Sequence, residues 1–243
     1  MTEALAWGFL ASSSLILGGL LALKLRPSMR LVGLVMAFGA GVLISALAYE
    51  LVGEAAATAD RGRAVAAGLF AGCGVFFAGS SLIDRLGGGQ RKDPGGGQAG
   101  GVALAIVLGI VLDGIPESMV IGLGLLLGEG VSAAVIAAVF LSNLPEAIAA
   151  TTGLAAAGWS TSRIYGLWFG VAAVSGLASL AGFALFDDAS PDTIAFVLAF
   201  AGGAILTMLA DTMMPEAFDH GGRLAGICTT LGFALAFAIS TLE

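Results

Sequence analysis

Charge is what this sequence has least of. Only 11% of its 243 residues are Asp, Glu, Lys or Arg, while 58% are hydrophobic. A soluble chain of this size could not cover its surface with so few charges, which excludes an ordinary water-borne domain and points to a polytopic membrane protein. Cysteine is nearly missing too. Cys73 and Cys228 both fall in apolar runs, and no C-x-x-C spacing exists. They read as helix-packing residues, not as a disulfide or a thiolate metal site. The single histidine, His220, falls in the last predicted loop and reads as a solvated residue. Neither a His-Glu zinc motif nor a Ser-His arrangement is present, so the chain is not read as an enzyme.

Long apolar runs are what the chain has in abundance. A membrane helix needs roughly 20 mostly apolar residues. That criterion gives eight spans, at about 4–23, 31–57, 64–84, 101–127, 131–157, 164–186, 193–217 and 223–242. The expected fold is all-α, a bundle of eight transmembrane helices forming one transporter domain over 1–243. No cationic residue precedes Ala4–Leu23, so that run reads as a membrane helix and not as a cleaved signal. The breaks include Asp60 to Arg63, a turn near Glu129, and a flexible glycine-rich stretch at about 86–100.

Loop charge sets the expected orientation. Lys24, Arg26, Arg30, Arg85, Arg91, Lys92, Arg163 and Arg223 fall on one side, against Arg61 and Arg63 on the other. Both termini are therefore expected outside the cytoplasm, in the plasma (inner) membrane. The glycine-rich stretch is then a cytoplasmic loop.

Seven acids lie at or near membrane depth: Glu50, Glu54, Asp113, Glu117, Glu146, Asp211 and Glu216. No Lys or Arg falls within a span. A charge at the bilayer centre costs on the order of 2.5–3.5 kcal/mol even on insertion scales. These carboxylates must be protonated, face water or bind cations, and structural ion pairs are excluded for the central ones. Asp113 and Glu117, four apart, share a helix face. Ser142, Asn143 and Glu146, at spacings of four and three, share another. Pro116 and Pro145 each remove a helical hydrogen bond, which frees carbonyls around Leu112 and Leu141. Carboxylate, amide, hydroxyl and carbonyl oxygens together suit a hard or borderline cation.

The segments Ile115-Pro116-Glu117 and Asn143-Leu144-Pro145-Glu146-Ala147 resemble the ZIP (Zrt/Irt-like) family of divalent metal transporters, whose fourth and fifth helices carry H-N-x-P-E-G-type patterns. Phe38-Gly39-Ala40-Gly41-Val42 resembles that family's second helix, and Asp211 to Ala217 the acid-rich end of its seventh. The sequence departs from the pattern. Asp113 and Ser142 stand where the family has histidine, Gly114 stands where it has asparagine, and Gly176 to Leu180 lacks an acid that many members carry.

The resemblance implies inward movement of a divalent metal as substrate. Asp113, Glu117, Ser142, Asn143 and Glu146 are the expected ligands, with Glu50, Glu54, Asp211 and Glu216 along the entry and exit path. Loss of imidazole leaves zinc, iron, manganese and magnesium undistinguished. The expected partners are the metal ion and the lipid bilayer, not nucleic acid, and a homodimer is compatible. Two other readings stay open: a non-transporting membrane metal sensor, and an organic-cation carrier, which an aromatic cage beside the glutamates would favour.

Overall fold

A computed structural model describes residues 1–89, 91, 93, 95, 103–126 and 133–242, and these form eight rods. They are α1 (Thr2–Leu25), α2 (Met29–Thr58), α3 (Gly62–Arg85), α4 (Ala103–Leu126), α5 (Ala133–Ala156), α6 (Thr161–Ala184), α7 (Pro191–Gly221) and α8 (Leu224–Ser240). Seven are long and apolar enough to cross a membrane, while α8 has 17 residues. At about 1.5 Å per residue, a 24-residue rod such as α4 spans roughly 36 Å. The chain is thus an all-helical membrane bundle. Glu129, together with Gln90, Lys92, Pro94 and 96–100 of the glycine-rich stretch, lies outside the described residues.

Local chemistry sets the helix starts. Ser28, Ser160 and Ser190 cap α2, α6 and α7, each accepting a hydrogen bond at 3.3 Å from the backbone N–H three residues on. Pro191 occupies the first turn of α7, where its missing N–H costs nothing. The expected end of the seventh span at 217 is too short. A π-helical segment, Leu209–Met213, precedes Pro215, which sits at the start of a new α-helical stretch and so does not stop the rod. α7 continues to Gly221 and takes His220 into its last turn.

The bundle is apolar outside as well as within, with polar side chains gathered in its interior. Phe70 is 80% exposed, and Phe77, Leu82, Ile227 and Leu231 also face outward. Ser12, Ser14, Thr151, Ser175 and Ser179 are buried. Large apolar side chains facing outward are what hydrocarbon surroundings accommodate.

The two ends of the bundle are distinct. Arg61 N–H donates to Asp192 at 3.1 Å, which ties the α2–α3 turn to the start of α7. At the opposite end Gly33, near the start of α2, lies against His220 and Gly221.

The first three rods recur in the last three. α2 packs most extensively on α8, as α3 does on α7, while α1 packs on α5 as α6 does on α4. The contacts correspond residue by residue. A Cβ at Gly41 would strike the Thr229 carbonyl and one at Gly232 the Phe38 carbonyl. On the other pair, Gly203 meets the Leu69 carbonyl and Gly72 the Phe200 carbonyl. Positions in α2 recur 162 later in α7 (38 to 200, 41 to 203), and those in α3 recur 160 later in α8 (69 to 229, 72 to 232). The π-helical segments obey the same shift, since Leu47–Gly53 in α2 and Leu209–Met213 in α7 begin 162 apart. With five connections between them, α2 and α7 run in opposite directions through the bundle. This is an inverted repeat, and α4 and α5 lie between its halves.

Helices in lipid gain little from burying apolar surface against one another, so close backbone approach at small residues carries the association. Gly72→Leu and Gly41→Leu are each expected to cost about 1–3 kcal/mol through overpacking. Gly74→Leu, where a Cβ meets nothing within 4 Å, is expected to be neutral. Thermal melts of the detergent-solubilised protein compare the three.

Candidate membrane cation site

α4 and α5 carry the polar centre. Asp113 and Glu117 are the eleventh and fifteenth of the 24 residues in α4, and Glu146 is the fourteenth of 24 in α5. All three acids lie near mid-rod and are buried, with exposures of 2%, 2% and 8%. Both rods stay helical through their prolines. Pro145 seats against Gly39 of α2, where a Cβ would come within 2.6 Å of the ring.

The predicted residues divide between two cavities. Asp113, Asn143 and Glu146 line a small cavity of about 20 Å³ together with Gly114, Ser175 and Trp168. Glu117 lines a second, also of about 20 Å³, with Glu50 and the apolar side chains of α2, α5 and α7. Ser142 is fully buried and donates to the Val139 carbonyl at 3.0 Å. Its oxygen therefore keeps only acceptor capacity for a ligand. Ser175, from α6, was missed by sequence reasoning. It takes up the side of the cleft near Gly114, and a lone serine in an apolar run carries no signal of that kind.

One sequence expectation is overturned. Asp113 has a basic partner, which comes from a loop and not from a span. The segment after α3 folds back along α4, setting Gly88 against Ala105 and the Arg91 stem against Gly109. Arg91, fully buried, donates from Nε and from Nη2 to the two Asp113 oxygens, both at 2.9 Å. Ser80 Oγ and the Gly88 carbonyl each lie 3.5 Å from the guanidinium, and Asp84 lies at 3.6 Å. Burial works to lower the Arg91 pKa, but the carboxylates of Asp113, Asp84 and Glu146 outweigh it and hold the group above its ordinary value. The spans do lack Lys and Arg, yet a loop arginine reaches mid-rod because glycines clear its way.

The outlying acids separate. Glu50 sits on the π-helical turn of α2 and accepts a short hydrogen bond from Ser240. Glu54 accepts from Thr58, one turn on, at 3.1 Å. Asp211, on the matching π-helical turn of α7, is exposed on the outer face and does not join the interior acids. Glu216 is gathered into a cluster. His220 Nε2 lies 3.4 Å from Glu216 Oε2 and 3.6 Å from Asp93 Oδ1. Among the described residues, these three offer donor atoms all within 4.8 Å of one another, a spacing suited to one metal ion. The reading of His220 as a solvated loop residue is thereby corrected, since its side chain is 23% exposed and faces two carboxylates. Cys228 is partly buried, but Cys73 is exposed on α3, so the packing role expected of both does not hold for Cys73.

No family model matches the chain, and no curated protein matches it. The family resemblance accordingly rests on the motif residues themselves.

Removing one partner of a buried ion pair strands the other, at a cost of about 3–5 kcal/mol. Asp113→Asn is expected to lower stability by that order, and Arg91→Met with Asp113→Leu to recover most of it. Denaturation of the single and double variants in the same detergent gives the coupling.

Proposed function

We propose that this protein is a ZIP-like transporter that carries divalent metal ions across a membrane, through a carboxylate-lined site at mid-depth between α4 and α5. One observation supports this most: three acids buried mid-rod on two proline-containing helices, beside Asn143 and Ser142. Intramembrane acids are functional by default because they cost so much to keep. Oxygen donors of this kind favour manganese, ferrous iron or magnesium over metals that prefer imidazole or thiolate.

The inverted repeat supports transport over sensing. Repeats of opposite direction allow a bundle to open alternately at either end around a central site, and proline-interrupted helices at the repeat interface are the usual place for it. Glu50 and the Asp93–Glu216–His220 cluster lie toward opposite ends of the bundle and would serve as the two approaches. By the distribution of Lys and Arg, the cluster faces the cytoplasm and both termini face away from it. Inward movement is the direction the family resemblance implies, and we propose the plasma membrane as its setting.

Metal is favoured over an organic cation. Among the described residues lining the cavity at Asp113 and Glu146, Trp168 is the aromatic one, and its indole N–H is turned to Thr151 at 2.8 Å. A quaternary ammonium ion is recognised by several ring faces, which this cleft does not offer.

Proteoliposome uptake of Mn2+ tests the proposal. Glu117→Ala combined with Glu146→Ala is expected to reduce uptake by about two orders of magnitude, the effect of removing two of the three charged ligands proposed for the ion. Unchanged uptake would remove the central site from consideration. A competition series over divalent ions would then rank the substrates of the wild type.

A further inference from the structure

The cavities beside the buried acids have room for about one water each, but a third holds far more. It measures about 470 Å³, within the range of about 300–1,000 Å³ usual for small-molecule sites. The end of α1, the last turns of α5 and the start of α6 wall it, and it shares no lining residue with the other two. Leu23 and Ala155 give it an apolar side, while Arg26, Thr151, Trp159 and Thr161 give it a polar one. The chain around it carries charge of one sign. Lys24, Arg26, Arg30 and Arg163 fall here, while no Asp or Glu occurs between Glu3 and Glu50 or between Glu146 and Asp187. Among the described residues, no carboxylate pairs with Arg26.

Basic residues at helix ends are ordinary on a cytoplasmic face, but three details set this end apart. Arg26 closes α1 with a φ of 45°, and among the described residues it is the one non-glycine with positive φ. Glycine takes that conformation more readily, so the demands of the backbone do not select arginine. Thr151 is fully buried. Its Oγ1 accepts from the Trp168 indole N–H at 2.8 Å, which leaves its hydroxyl proton for an acceptor in the cavity. Thr161 opens α6, a 24-residue helix whose first N–H groups have no partner within it, so the positive end of its dipole meets the cavity. Behind the wall, the Arg163 guanidinium stands 3.6 Å over the Trp159 ring and adds a second cation. We propose that this cavity binds a phosphate group, carried by an anionic lipid headgroup or by a free phosphate compound. A guanidinium fork matches two phosphate oxygens, and the Thr151 hydroxyl and the α6 N-terminus supply further donors. Basic pockets between membrane helices hold lipid headgroups in this way, and the Leu23 side accommodates the first carbons of a lipid.

In the test, delipidated full-length protein in detergent is titrated with phosphatidylglycerol, read by native mass spectrometry, and with inorganic phosphate, read by calorimetry. Diacylglycerol, which lacks the phosphate, controls for apolar binding and is expected to bind far more weakly. Binding of phosphatidylglycerol alone would identify a lipid as the ligand, and its displacement by inorganic phosphate would identify a free phosphate. Arg26→Gly removes the charge while relieving the left-handed backbone. It is expected to weaken binding about tenfold, the loss of one charge-assisted hydrogen bond, with the melting temperature unchanged or raised. Ala155→Trp keeps every cation but fills the cavity, and is expected to abolish binding. Lys24 is exposed at the same end without lining the cavity, and Lys24→Gln is expected to change affinity by less than about threefold. Equal losses in Lys24→Gln and Arg26→Gly would mark general attraction to a basic surface and overturn the proposal. It is also overturned if diacylglycerol binds as tightly as phosphatidylglycerol, or if folded Arg26→Gly and Ala155→Trp bind as wild type does. Wild type that binds neither phosphate probe would overturn it as well.

Discussion

An ionised side chain buried among hydrocarbon neighbours has to meet opposite charge at close range, and the Arg91–Asp113 pair meets that demand at the middle of the bundle. Its two 2.9 Å hydrogen bonds are charge-assisted and bidentate, the geometry that best offsets the loss of water. Much else follows from seating it. The segment after α3 must fold inward, α4 must present glycine at 109, and α3 must offer Ser80. Glu117 and Glu146 are buried at similar depth on α4 and α5. They carry the cation-binding reading proposed for this protein.

The surrounding frame follows from a second consequence of the same surroundings. With lipid outside, apolar side chains give helices little reason to prefer one another over solvent, so the rods associate where their backbones come close. Glycines 41 and 232 join α2 to α8, and glycines 72 and 203 join α3 to α7. The two seams are copies of each other. That equivalence places α4 and α5 between matching halves, and the polar centre falls at their junction.

Much of this was legible in the chain. Eight apolar runs, their breaks and the two Pro-Glu segments all carry strong local signals, and the helices end within a few residues of the expected positions. α7 is the larger miss, because it runs on to Gly221 through Asp219 and His220, the polar residues at which the apolar run ends. The Arg91 pairing was not legible, since sequence separation along a glycine-rich loop says nothing about where that loop folds. His220 was missed for a related reason: its carboxylate neighbour Asp93 lies far away in the chain. The repeat did leave a trace. Ala37-Phe38 and Glu54-Ala55 recur as Ala199-Phe200 and Glu216-Ala217 at a constant shift of 162, but conservative changes between them blur the match.

The glycine seams also have a mechanical side. Where two rods touch through backbone atoms, no side chain can change rotamer to take up displacement, so each seam transmits force almost without slack. α2 with α8 and α3 with α7 behave as two stiff double beams. α4 meets α6 in the same way through Gly122 and Gly182, but α4 and α5 carry prolines at mid-rod, where the interrupted hydrogen bonding gives each rod a place to bend. The compliant parts of the bundle are the ones that hold its buried acids.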